Sequence, residues 1–204
     1  MIVIREGNQQ TKFMTSSTTL VKTESSYLNI HEYEFDEDCI TDVRDKLMEK
    51  PEIIVFGRVC HQHRSVGFFS DESVGYKYSG KLMKSSPLTD NLRCLLRDIN
   101  EKFATQFNGI LVNRYEDGSD YISAHSDDEK GIKVNDVVSI SWGTVRTFRI
   151  RNKSDRKIVA NIPTEPGKII HMGGEFQREF THEIPIEKRK QGLRYSFTFR
   201  YHSE

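Results

Sequence analysis

His125-Ser126-Asp127 sets an imidazole and a carboxylate two residues apart, and in an extended strand residues i and i+2 point to the same face. A third donor, His182, follows the strand-like Phe180-Thr181. Two histidines and a carboxylate on one side of a metal leave coordination positions open, as non-haem Fe(II) oxygenase chemistry requires. Zinc in a hydrolase could use the same donors, and an H-x-D pair by itself more often marks a surface hydrogen bond. A second feature narrows the choice. From Arg194 to Tyr201 apolar and polar residues alternate, which puts Arg194, Ser196 and Arg200 on one strand face. Most antiparallel strands with this alternation expose the polar face to water. If the face lines an interior instead, two buried guanidinium groups need anionic partners, and a small dicarboxylate supplies them. A zinc hydrolase has no need for that pair.

Strands must carry these residues. After about residue 108 the hydrophobic period becomes two, with runs at 109–115, 137–142, 145–151, 158–162, 168–172 and 193–201. Asp117-Gly118 is a hairpin-type turn signal. Many short strands separated by turns predict an antiparallel sandwich or barrel. Upstream, 27–35 reads as extended. Asp36 or Asp38 is the expected N-cap of a helix presenting Ile40, Val43 and Leu47 and ended by Pro51. Ser86 is the expected cap of a second helix, with Pro87 at its first position and Leu92, Leu95, Leu96, Ile99 and Phe103 at helical spacing. Residues 1–26, rich in Ser, Thr, Gln and Lys, read as a loosely ordered extension, and 27–204 as a single domain.

Composition bounds the function classes. The 204 residues carry 30 Lys+Arg and 30 Asp+Glu, a formal net charge of zero. That balance argues against binding polyanions by bulk charge and leaves a local basic groove open. No run approaches the roughly 18 apolar residues of a membrane span, and the first residues lack a signal-peptide core. Cys39, Cys60 and Cys94 form no C-x-x-C pair, which predicts reduced thiols in a soluble intracellular protein.

The segment Asn113-Arg114-Tyr115, Asp117-Gly118-Ser119-Asp120-Tyr121-Ile122, His125 and Asp127-Asp128-Glu129, together with Arg194 to Arg200, resembles the core of the AlkB family. These are Fe(II)/2-oxoglutarate oxygenases that reverse alkylation damage in nucleic acids. The resemblance covers about residues 53–201, more weakly 27–52. It implies an α+β fold: a double-stranded β-helix (jelly-roll) core of antiparallel strands at about 108–201, two supporting N-terminal helices and a nucleotide-recognition lid at about 53–80. It implies that His125, Asp127 and His182 form the catalytic Fe(II) centre, with 2-oxoglutarate and O2 as co-substrates. Asn113 and Arg200 would lie near the 1-carboxylate, and Arg194, assisted by the Tyr115 hydroxyl, would take the distal carboxylate. Ser196 stands where some members carry an Asn that also contacts 2-oxoglutarate; its shorter hydroxyl would reach the co-substrate through water.

For substrate, the resemblance implies an alkylated DNA base (N1-methyladenine or N3-methylcytosine) flipped beside the metal and released from its methyl group as formaldehyde. Glu129 resembles the acidic residue that reads the exocyclic amine. In Tyr76-Lys77-Tyr78-Ser79-Gly80, Tyr78 would stack on the base opposite His125, Tyr76 would touch base or phosphate, and Ser79 completes the lid contact. Arg64 would meet phosphate or a base edge. Phe56, in Val55-Phe56-Gly57, resembles the apolar finger inserted into a duplex; a core strand residue is the equal alternative. Two basic runs, at Arg149, Arg151, Lys153, Arg156 and Lys157 and at Lys188-Arg189-Lys190, are candidate phosphate contacts. The expected protein is a monomer without membrane association. RNA, or a protein or lipid, is the alternative substrate. A non-catalytic binding module would have lost a metal or clamp residue, and His125, Asp127, His182, Arg194 and Arg200 are all present.

Overall fold

The period-two runs pair into two facing antiparallel sheets in a computed structural model, which describes residues 12–13, 16–55, 57–78, 81–128 and 132–202. The N-terminal part contributes strands β1 (Thr18–Lys22) and β2 (Ser26–Glu32), helix α1 (Asp38–Val43), and strands β3 (Glu52–Val55), β4 (Arg58–His61), β5 (Ser65–Phe69), β6 (Gly75–Tyr78) and β7 (Lys81–Lys84). Helix α2 (Asp90–Phe103) leads into β8 (Gly109–Tyr115), β9 (Ile122–His125), β10 (Ile132–Gly143), β11 (Thr147–Asn152) and β12 (Ile158–Pro163). The chain continues through β13 (Lys168–Gly174), the one-turn α3 (Phe176–Glu179), β14 (Phe180–Ile184) and β15 (Arg194–His202).

The larger sheet has seven strands in the order β1-β2-β13-β10-β15-β8-β5, and the smaller has four in the order β12-β11-β14-β9. From β8 onward the chain crosses repeatedly between them: β8 large, β9 small, β10 large, β11 and β12 small, β13 large, β14 small, β15 large. That alternation builds the expected jelly roll. It also corrects one expectation. Asp117-Gly118 does not close a hairpin, because β8 pairs with β15 and β5 while β9 pairs with β14. The turn instead carries the chain from one sheet to the other. Gly118 donates its N–H to the Lys190 carbonyl, and a Cβ on it would collide with the Glu187 carbonyl oxygen.

Strand alternation sorts side chains into two cores. Tyr195, Phe197 and Phe199 of β15, with Val138 and Ile140 of β10 and Ile110 and Val112 of β8, face outward onto Leu92, Leu95 and Ile99 of α2. Between the sheets lie Val137, Phe148, Ile150, Ile162, Met172, Phe180 and Ile184. The alternate residues of β15, namely Arg194, Ser196, Thr198 and Arg200, point into that inter-sheet space and are all buried. The polar face of the last strand therefore lines an interior.

The helices differ from expectation at their ends. Thr89 caps α2, its side chain accepting the Leu92 N–H, while Ser86 is drawn into a bridge with Phe69 and leaves Pro87 outside the helix. Helix α1 is short and has no side-chain cap. Asp36 accepts the Asp38 N–H ahead of it, and Leu47 is already extended. Residues 18–22 depart from the loosely ordered reading of 1–26, because β1 pairs along β2 with Val21 buried. Two hairpins, β3–β4 and β6–β7, occupy the segment expected to be a lid, the second running on to residue 84.

Candidate active site

Two paired strands, β9 and β14, and the residues just after β9 bring the donors together. His125 ends β9 and lies directly across from His182 on β14, so their rings meet with centroids 4.4 Å apart. Asp127 lies two residues past the end of β9. Its backbone N–H donates to Oε1 of Gln177 at 2.9 Å, and the Ser126 hydroxyl donates to the Phe180 carbonyl, which together fix the carboxylate over β14. Nε2 of His125 lies 3.7 Å from Oδ1 of Asp127, and Nε2 of His182 lies 3.6 Å from Oδ2. One donor atom from each residue falls within 4.8 Å of the others.

The chemistry of this cluster suits a cation. Asp127 is 1% exposed, and its Oδ2 has no hydrogen-bond donor among the described residues. Burial alone would raise its pKa, but the Arg200 guanidinium beside it holds it below the usual carboxylate range. Burial pushes both histidines the other way, His182 to about 3, so the rings are neutral and able to ligate. Nδ1 of His125 contacts the Ser123 carbonyl at 2.9 Å, which assigns the proton to Nδ1 and leaves Nε2 as donor. Phe148 stacks on His182 at 5.2 Å and 17°, fixing the ring plane. His125 is the most exposed of the three, with 21% of its side chain open, and so marks the open side.

Beyond the cluster runs a cavity lined by Arg64, Asn113, Tyr115, Ser196 and Arg200 and ending at Arg194. Arg194 is 2% exposed. Its Nε donates to Thr164 at 3.1 Å, one Nη donates to Ser141 at 3.0 Å, and the group lies 5.0 Å over the Tyr115 ring. Nη1 is buried without a hydrogen-bond partner, and no carboxylate lies within ion-pair distance among the described residues. Arg200 pairs with Asp127 at 2.7 Å. Asn113 accepts from Nε of Arg64 at 2.7 Å and reaches Ser196 at 3.5 Å. A buried guanidinium held only by hydroxyls and a ring is completed by an anion.

The residues expected as metal ligands and as the carboxylate clamp thus line one cavity. Arg64 lines it as well: it is 5% exposed and donates to Asn113, a position that suits a base edge in the cavity better than a phosphate outside it. Tyr76 and Tyr78 lie on β6, in register with Met83 and Lys81. Phe56, Ser79 and Glu129 lie outside the described residues. The first basic run is largely paired internally: Arg149 and Arg151 with Glu183, Lys153 with Asp128, and Lys157 with Asp155. Lys188, Arg189 and Lys190 are exposed.

Sequence reasoning missed several residues. Ser139 and Ser141 alternate with Val138 and Ile140 along β10, the same signal that marked β15, and they line the same interior. Thr164, Gln177 and Phe148 carry no comparable sequence signal, because each works through a partner distant along the chain. Both legs of the β3–β4 hairpin are also anchored to the turn after β8. Lys50 pairs with Asp120 at 2.8 Å, and His63 stacks on Tyr121 at 4.4 Å.

Comparison with known proteins agrees with this geometry. Residues 31–200 match the family described as the 2OG-Fe(II) oxygenase superfamily. The chain is 29% identical over 154 residues to the DNA oxidative demethylase ALKBH2 of Homo sapiens, covering 72% of this chain and 59% of that protein. The Arabidopsis thaliana ALKBH2 is 28% identical over 181 residues, covering 74% and 57%. The human alpha-ketoglutarate-dependent dioxygenase alkB homolog 3 is 33% identical over 135 residues, covering 61% and 47%. The chain therefore spans less than two-thirds of the length of these relatives. Among solved structures, OsALKBH1 superposes with a TM-score of 0.53 at 16% identity, covering 80% of this chain and 90% of that one, a likeness of fold alone.

Proposed function

Because the chain belongs to the 2OG-Fe(II) oxygenase superfamily, we propose that it is an AlkB-type oxidative demethylase of alkylated nucleic-acid bases. Its proposed substrates are N1-methyladenine and N3-methylcytosine in DNA. One observation carries the reading: the His125–Asp127–His182 cluster opens onto the same cavity as the buried guanidinium of Arg194, which has no carboxylate within ion-pair distance among the described residues. A metal centre and a distant anion subsite in one cavity are what a chelating dicarboxylate co-substrate requires.

The donor set fits Fe(II), which His125, Asp127 and His182 would hold. Fe(II) with 2-oxoglutarate supplies the oxidising power to hydroxylate a methyl C–H bond with O2. The chain's own residues bind, orient and exclude water. Arg194, with Thr164, Ser141 and Tyr115 behind it, takes the far carboxylate of 2-oxoglutarate. Arg200 and Asn113 lie nearer the ligand cluster, placed for the other end. Ile122, Phe148, Met172 and Ile184 wall the cavity with apolar surface. Hydroxylation of an N-methyl group gives a hemiaminal that releases formaldehyde and the unmodified base, so no protein nucleophile is needed.

For the substrate, the ALKBH2 relatives are named DNA oxidative demethylases. The open side at His125 gives a flipped base access to the centre, and the two hairpins supply candidate walls. Tyr78 is the proposed stacking platform, worth about 1–3 kcal/mol per base, and Glu129 the proposed reader of the exocyclic amine. Incubation with methylated DNA and RNA oligonucleotides, scoring succinate and formaldehyde, tests the reading. A Tyr78→Ala variant should lose oligonucleotide affinity and keep 2-oxoglutarate affinity.

A further inference from the structure

The cavity end that holds Arg194 is built on a second buried arginine. Arg146, between β10 and β11, is 1% exposed. Its Nη1 donates to the Asp117 carbonyl at 2.7 Å. Nη2 donates to the Asp120 carbonyl at 2.9 Å and the Pro185 carbonyl at 2.7 Å. Nε donates to Glu187 at 3.0 Å. Glu187 is held in turn by the Thr147 N–H at 2.9 Å and hydroxyl at 3.0 Å. One side chain thus ties the turn after β8, which follows Tyr115, to the loop after β14, which leads to Arg194.

The connection to Arg194 runs from the Arg146 main chain through Thr164. The Arg146 N–H donates to Thr164 Oγ1 at 3.0 Å, and the Thr164 hydroxyl donates to the Arg146 carbonyl at 3.1 Å. The same Oγ1 accepts the Nε of Arg194. With its proton committed to Arg146, the hydroxyl can only present lone pairs to Arg194. Arg194 is thereby aimed from behind, leaving Nη1 toward the cavity.

We infer that Arg146 is a positioning residue for the co-substrate: through Thr164 and the two loops it gathers, it sets the orientation in which Arg194 receives the distal carboxylate. This rests on the reading of the cavity as a 2-oxoglutarate site. The prediction is chemically selective. Loss of the Arg146 hydrogen bonds weakens ligands that carry a distal carboxylate and spares those that lack one.

The test is anaerobic calorimetric titration of the Mn(II)-loaded protein with 2-oxoglutarate and with pyruvate, which keeps the 2-oxo acid and lacks the distal carboxylate. Arg146→Lys, which keeps the charge but cannot reach four partners, should weaken 2-oxoglutarate about tenfold and leave pyruvate unchanged. Glu187→Gln, which removes the anion paired with the Arg146 side chain and leaves the main-chain link to Thr164 intact, should show the same selectivity in smaller measure and decides the matter if Arg146→Lys does not fold. Equal weakening of both ligands, or no weakening, in the folded variant would overturn the inference. Failure of the unsubstituted protein to bind 2-oxoglutarate would instead overturn the functional reading beneath it.

Discussion

At the scale of single residues, the site depends on charges that are buried before any ligand arrives. Asp127 is held ionised beside Arg200, while its histidine neighbours are kept neutral by burial. Substituting Asp127 by Ala should remove divalent-metal binding, read by calorimetry with Mn(II), and turnover with it; persistence of tight binding would show that the metal sits elsewhere. Arg194 has the opposite need, a cation lacking its anion. Arg194→Lys keeps the charge and loses the two-pronged geometry, so the 2-oxoglutarate concentration for half-saturation should rise by about 10- to 100-fold. Affinity for oligonucleotide should hold, and a parallel fall in both would argue for general collapse of the cavity.

Among the elements, the legible signals were those written in local periodicity. Alternation along β15 exposed its polar face, and the His125/Asp127 spacing exposed the ligand pair. The alternation could not tell interior from solvent. That distinction comes from β15 being flanked by β10 and β8 with a second sheet across from it. Helix starts were misplaced for a similar reason. Ser86-Pro87 is a good local start signal, but the Ser86 N–H is taken by the Phe68 carbonyl, and the chain turns helical only after Thr89. Thr89→Ala should therefore cost about 1 kcal/mol of unfolding free energy, and Ser86→Ala markedly less in the same urea titration. The reverse order would restore the earlier start. Arg146 was illegible because its four acceptors lie on two loops far along the chain, three of them backbone carbonyls that any residue type supplies.

For the molecule as a whole, zero net charge acquires a structural meaning. Arginines are spent inside the jelly roll at Arg64, Arg146, Arg194 and Arg200, all buried, and the basic run near Arg149 is largely matched by local carboxylates. Under the proposed function, phosphate binding would rest on few contacts, so oligonucleotide affinity should fall only shallowly with salt. Burial also links stability to pH. His202 is pushed down to about 4, so the unfolded chain takes up its proton first and stability falls as pH drops from about 6.5 toward 4. A His202→Asn variant should flatten that fall by up to about 1.4 kcal/mol per pH unit, measured by urea unfolding across the range. An unchanged slope would place the protonation elsewhere. Oxidative demethylation itself is measured by supplying the protein with Fe(II), 2-oxoglutarate, O2 and oligonucleotides carrying N1-methyladenine or N3-methylcytosine. Methylated strands should yield equimolar succinate and formaldehyde, and neither unmethylated strands nor His125→Ala protein should yield formaldehyde. Absence of formaldehyde from every methylated DNA and RNA strand, in protein that binds metal and 2-oxoglutarate, would contradict it.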